Sequence, residues 1–184
     1  MSIEFFYDLA SPYTYLAMTQ MQRIGREADT PVRWRPFFLG GVFKATGNAP
    51  PALVAARGRY MMKDLYRWAR VYGQDFSFPS RFPANTLLAM RALQSLPEAE
   101  RAEPSLALGR AYWTQDADIT DAAVVASFVG QDAVDASAAH KDALRAATDE
   151  AVARGAFGAP TFLVGDALFF GNDRLDFVVR EAKK

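Results

Sequence analysis

Strand-forming residues stand at the two ends of this chain and almost nowhere between. Near the start are Ile3, Phe5 and Phe6 in a short run and Val32-Arg33-Trp34-Arg35-Pro36-Phe37-Phe38. Near the end are Gly158-Ala159-Pro160-Thr161-Phe162-Leu163-Val164-Gly165, entered through a proline, and Ala167-Leu168-Phe169-Phe170-Gly171. Short runs rich in β-branched and aromatic residues, bounded by Gly, Pro and Asp, read as strands. From Leu53 to about Leu144 apolar residues recur at helical spacing instead. Strands need neighbours for their backbone groups. One sheet of two N-terminal and two C-terminal strands, interrupted by the helical middle, is the expected arrangement.

The first strand ends in a turn and a helix start. Ser11 precedes Pro12, and serine at the N-cap with proline at the first helical position is a preferred pair. Tyr13, Leu16, Ala17, Met21 and Ile24 then fall on one face of a single helix. Gly25 and Asp29-Thr30-Pro31 stop it before the second strand, giving a right-handed βαβ unit. Taken locally, Ser11 is a plain helix cap. It is also a hydroxyl beside free backbone N–H groups and the positive end of a helix dipole, where an anion is stabilised.

The segment Leu39 to Pro51 reads as an ordered loop or a loop around a short helix. It carries Lys44 and Asn48, which suit a carboxylate and an amide respectively, or simply solvent and a turn. The helical middle divides at Gly73, Pro97 and Gly155. A stripe Met61, Leu65, Trp68, Ala69, Tyr72 comes first. Leu88 to Leu96 and then Leu106 to Tyr112 follow. Thr120 is expected to cap Asp121 to Val129, and one long helix is expected from Ala136 to Arg154. The connector Phe76-Ser77-Phe78-Pro79-Ser80-Arg81-Phe82-Pro83 is either core under a loop or an apolar wall for a planar ligand. Asp166 turns the C-terminal hairpin, and Asn172-Asp173 is expected to cap a final helix.

Composition removes whole classes of chemistry. The 184 residues contain no cysteine and one histidine, His140. Disulfides, protein thiol nucleophiles, thiolate metal sites and two-histidine zinc motifs are excluded. Lys plus Arg and Asp plus Glu are 21 each. No bulk basic field exists to draw nucleic acid or an anionic membrane. No apolar run is long enough to span a bilayer. A cytoplasmic protein that binds neither is expected.

The layout βαβ, long helical segment, β-hairpin and helix is the thioredoxin arrangement with an all-helical insertion. The expected division is 1–43 with 155–184 as a discontinuous thioredoxin-like domain, and 44–154 as the helical subdomain. Ser11-Pro12-Tyr13-Thr14 occupies the place of that fold's redox C-x-x-C. Ala159-Pro160 is the candidate for its cis proline.

Four blocks carry a closer resemblance: Phe6-Tyr7-Asp8 through Ala17, Phe43 through Asn48, Gly155 through Phe162, and Phe170 through Leu175. Together they resemble the 2-hydroxychromene-2-carboxylate isomerases, which belong with kappa-class glutathione transferases among DsbA-like proteins. The resemblance implies an enzyme that borrows its thiol from glutathione. It implies Ser11 as the catalytic group donating to the sulfur. Asn48, Ala159, Pro160, Phe170, Gly171, Asn172 and Asp173 would hold the tripeptide. Lys44 and Phe82 would meet a small aromatic carboxylate substrate, with phenylalanine where a relative carries a tyrosine. No metal is implied, and a homodimer is. Two other readings share these residues: a kappa-type transferase that conjugates glutathione to an electrophile, and a non-catalytic glutathione- or peptide-binding module.

Overall fold

The computed structural model describes residues 2–184. Four strands, β1 (Ile3–Tyr7), β2 (Val32–Pro36), β3 (Thr161–Val164) and β4 (Ala167–Phe170), form one sheet in the order β2-β1-β3-β4. β1 pairs parallel with β2 and antiparallel with β3, and β3 pairs antiparallel with β4. The ends do meet, and the pairing of β1 with β3 sits at the sheet's centre. Residues alternate across a strand. Ile3, Phe5 and Tyr7 face the larger core, and Phe6 faces a smaller one with Phe37, Val42, Ala151 and Leu163. Phe5 stacks on Phe162 at 5.0 Å and meets Trp34 edge-on at 5.1 Å. Each such buried side chain contributes about 1.5–3 kcal/mol.

Among the described residues ten α-helices surround the sheet: α1 (Pro12–Met18), α2 (Met21–Ala28), α3 (Leu39–Thr46), α4 (Ala55–Tyr72), α5 (Leu87–Ser95), α6 (Ala102–Gln115), α7 (Ala122–Val129), α8 (Gln131–Ala136), α9 (Lys141–Ala153) and α10 (Leu175–Ala182). Gly47 and Gly73 end α3 and α4 in the left-handed conformation, at φ of 72° and 61°.

β2 ends at Pro36, short of the expected Phe38, and β3 begins at Thr161, past the expected Gly158. Four helix boundaries also differ from the sequence reading, each for a local reason. The first helix breaks in two at Thr19-Gln20. The Thr19 hydroxyl donates to the Leu16 carbonyl at 2.7 Å, and the Gln20 amide takes the Ala17 carbonyl one residue early. α6 begins at Ala102, because Pro104 lies in its first turn, where proline's missing N–H is not needed. Asp121, not Thr120, caps α7: its Oδ1 accepts from the Ala123 amide at 2.8 Å, and Thr120 donates instead to Asp118. Of the helix expected from Ala136 to Arg154, Ala136 is the last residue of α8 and the rest begins only at Lys141 as α9, after a run of bonds to the third residue back. There His140 Nδ1 meets the Ala136 carbonyl at 3.0 Å.

Candidate functional site

Ser11 stands where β1 runs out and α1 begins. Its backbone is extended and its side chain caps α1, accepting from the Thr14 amide at 3.3 Å. The same hydroxyl donates to the Ala159 carbonyl at 3.0 Å. The Ala159–Pro160 peptide is cis, and a second cis bond at Phe82–Pro83 was not anticipated. Ser11 is buried, as are Ala159 and Pro160. The Thr14 hydroxyl beside them is fully buried with no hydrogen-bond partner among the described residues. Two hydroxyls thus stand at the start of α1, in the Ser11-Pro12-Tyr13-Thr14 turn.

The strand edge beyond Pro160 is closed on one side. The Gly171 amide donates to the Pro160 carbonyl at 3.0 Å, and Gly171 has a φ of 101°, which glycine adopts at little cost. Phe170 packs on Phe157 with ring centroids 4.5 Å apart, and both rings are partly exposed. A side chain on Gly158 would come within 2.8 Å of the Phe170 ring, so this aromatic pair requires glycine there. Asn48 reaches the same edge: its Nδ2 donates to the Phe157 carbonyl at 2.8 Å. A residue read as a turn former therefore links the end of α3 to the approach to Pro160.

Asn172 and Asp173 lie in a single 3-10 turn, Asn172–Arg174, that precedes α10 and packs on α1. The Asn172 side chain does not cap the final helix. It is buried, and its Nδ2 points to the Tyr72 hydroxyl at 3.5 Å, while Tyr72 donates to the Asn172 carbonyl at 2.6 Å. Asp173 is exposed and pairs with Arg174 at 2.6 Å. Tyr13, in the first turn of α1, donates to Asp64 Oδ2 of α4 at 3.0 Å, and Tyr60 approaches the other oxygen at 3.4 Å. Burial holds the Tyr13 phenol far above its ordinary value, with the Asp64 carboxylate adding to the effect. Sequence reading placed Tyr72 in a packing stripe and Tyr13 on the apolar face of the first helix, and passed over Asp64. No spacing rule marks hydrogen bonds across 51 and 100 residues.

Lys44 is exposed on α3, with no hydrogen bond or ion pair among the described residues. Phe82 lies 5.0 Å from Phe78 and 5.8 Å from Trp113. Trp113 in turn donates Nε1–H to the Leu9 carbonyl at 3.0 Å. The connector's aromatics are therefore packed on the tryptophan that holds the strand end leading to Ser11. A cavity of about 410 Å³ opens beside Tyr13, lined also by Pro51, Ala56, Arg57, Tyr60 and Met61. Among the described residues no three His, Asp or Glu side chains assemble as metal ligands, and no helix is long and apolar enough to cross a membrane.

Comparison with known proteins agrees with this geometry. The family model described as DSBA-like thioredoxin domain matches residues 2–183. A 2-hydroxychromene-2-carboxylate isomerase of Sphingobium xenophagum is 32% identical over 96% of this chain and 95% of its own length. Glutathione S-transferase kappa 1 of Rattus norvegicus is 30% identical over 96% of this chain and 88% of its own. A solved 2-hydroxychromene-2-carboxylate isomerase superposes with a TM-score of 0.85 at 26% identity, covering 97% of this chain and 92% of that one. The chain belongs to the DSBA-like thioredoxin family, in the group formed by 2-hydroxychromene-2-carboxylate isomerases and kappa glutathione S-transferases.

Proposed function

We propose that this chain is a glutathione-dependent isomerase that converts 2-hydroxychromene-2-carboxylate to trans-o-hydroxybenzylidenepyruvate. The observation that carries the reading is the Ser11 hydroxyl, capping α1 and donating to the Ala159 carbonyl at 3.0 Å. The residues present fit the tripeptide. Ala159 offers a backbone edge to the cysteinyl unit, as extended ligands use exposed strand edges. Asp173 offers a carboxylate to the γ-glutamyl ammonium, and Asn48 and the Phe170–Gly171 strand end flank the path. The buried, unpartnered Thr14 hydroxyl adds polarity beside Ser11.

Glutathione, when bound, would supply a thiolate that adds to the ring-opened enone, formed when the hemiketal ring C–O bond breaks to give a phenol and a ketone, and that leaves again once the former double bond has rotated. Ser11 has one proton to give. In donating it toward sulfur, Ser11 vacates the Ala159 carbonyl, which then accepts an N–H from the ligand backbone. The hydroxyl and the start of α1 together favour the thiolate over the thiol, whose unperturbed pKa is about 8.5. Each unit of lowering corresponds to about 1.4 kcal/mol. Lys44 is the assigned partner for the substrate carboxylate, with Phe82 behind the ring.

A spectrophotometric isomerisation assay with and without glutathione tests the reading. Turnover that requires glutathione, with glutathione recovered unchanged, supports it. A stable thioether product would assign conjugation instead. Binding without turnover on either substrate class would make the protein a binding module. The Ser11→Ala protein should lose turnover and shift its pH optimum upward; an unchanged pH–rate profile would remove Ser11 from this role.

A further inference from the structure

Asp8, the last residue of the Phe6-Tyr7-Asp8 run, is fully buried, and no ion pair among the described residues includes it. A buried carboxylate without a counter-ion is a costly group to keep. Here its two oxygens accept three hydrogen bonds, and each donor comes from a different segment. The Ala10 amide reaches Oδ1 at 3.0 Å from the turn that presents Ser11. The Leu39 amide reaches Oδ2 at 2.8 Å from the first residue of α3. The Thr86 hydroxyl reaches Oδ1 at 2.7 Å from the start of α5. The Asp8 carbonyl also accepts from the Ser11 amide at 3.2 Å.

Those segments are the ones to which the site has been assigned. The turn bears Ser11, α3 bears Lys44 and leads to Asn48, and the connector ending at Thr86 bears Phe82. All three donors need an acceptor, and only an ionised carboxylate offers acceptors alone. Asparagine would turn an NH₂ toward an N–H. Desolvation pushes the carboxyl above the ordinary range, and the three bonds oppose that push.

We propose that Asp8 is a positioning residue: its carboxylate fixes the Ser11 turn to the helix carrying Lys44 and to the connector carrying Phe82, and so sets the spacing between the nucleophile side and the acceptor side. The inference rests on the function proposed above. Supporting groups that hold a reacting constellation through hydrogen bonds change its precision when removed, beyond any change in stability.

The test uses the full-length Asp8→Asn, Thr86→Val and Thr86→Ser proteins, each assayed well below its own melting temperature. The first readout is backbone amide exchange at Ala10 and Leu39. In Asp8→Asn both should exchange at least about tenfold faster than the general loosening of β1 accounts for, the scale of one lost charge-assisted bond. The second readout is kinetic. Thr86→Val should raise the acceptor KM about tenfold, and Thr86→Ser should restore it. Should Asp8→Asn fail to fold, the two Thr86 proteins decide the matter. Variants that melt earlier but keep wild-type acceptor KM and wild-type relative exchange at Ala10 and Leu39 would overturn the inference and leave Asp8 a structural knot. A wild-type protein that neither binds nor uses glutathione would instead overturn the functional reading, and the exchange data would still judge Asp8's hold on the two segments.

Discussion

The edge around Ser11 and the rim formed by α3 and α4 are held in opposite ways. At the edge nearly every polar group already has a partner: Ser11 with Ala159 and Thr14, Gly171 with Pro160, Tyr72 with Asn172, Asn48 with Phe157. On the rim, Lys44 and Arg57 are exposed and unpaired among the described residues, and Leu53 and Tyr60 are 75% and 62% exposed. The first turns of α4 rest on little; the helix is anchored further along, through Met61, Leu65 and Ala69. A site pre-arranged in a water-poor setting stabilises charge without reorganising. A rim of free Lys and Arg side chains must first be ordered, at up to about 2 kcal/mol each. On the proposed function, the fold would build in the means of activating a thiol and leave the choice of acceptor to a loosely held surface.

If that contrast is right, substitutions at the edge should matter far more than those on the rim. Ser11→Ala should be the largest, lowering kcat by about 10²–10³, the loss typical of one donor to a developing anion. Steady-state kinetics across pH will show it. Tyr72→Phe comes next. It leaves the buried Asn172 carbonyl without its 2.6 Å donor, at a cost of about 1–3 kcal/mol of stability. It also frees the turn carrying Asp173, so the glutathione KM should rise with little change in kcat. Denaturant unfolding beside a glutathione titration measures both. A Tyr72→Phe protein that loses stability but binds glutathione as before would separate the 3-10 turn from the site.

The edge was also the more legible region in the sequence, for physical reasons. Ser11-Pro12 and Ala159-Pro160 are local signals: a cap, a proline at the first helical position, a proline before a strand. The strands were readable because a short run of β-formers at Ile3, Phe5 and Phe6 and the turn residues around the hairpin are short-range signals. One shared sheet was expected once β segments appeared only at the two ends. What failed were decisions made by side chains within single turns, as at Thr19, Pro104 and Asp121, and by alanine-rich chain that is equally content in one helix or two, as at Ala136 to Lys141. Tyr72, Tyr13, Asp64 and Thr86 stayed hidden because their partners lie far away in sequence. A stripe at helical spacing does not reveal which of its tyrosines carries a used hydroxyl.

On the rim, Lys44→Gln should have a smaller effect, raising the KM for a carboxylate acceptor several-fold, about 1 kcal/mol for an exposed ion pair with the ligand. It should leave kcat and the glutathione KM alone. The effect should shrink as salt is added, since exposed charges are screened. An effect as large as that of Ser11→Ala would break the comparison and make the rim part of the chemistry.

The smallest expected effect belongs to neither region and serves as their control. Arg33 of β2 and Glu98, just ahead of α6, form an ion pair at 2.6 Å with both side chains substantially exposed. The Arg33 guanidinium draws the Glu98 carboxyl below its ordinary value, and the same contact raises Arg33. A carboxylate with a lowered folded value contributes its stability above the unfolded value, about 4.3, and loses it as pH falls through the folded one. Solvent screening limits the contribution to less than about 1 kcal/mol. Glu98→Gln should therefore unfold slightly earlier than the wild type at neutral pH, and the gap should close in acid. Neither KM should move. A Glu98→Gln protein with altered KM would show that strain anywhere in the sheet reaches the site, and the contrast between a built edge and a free rim would then lose its meaning.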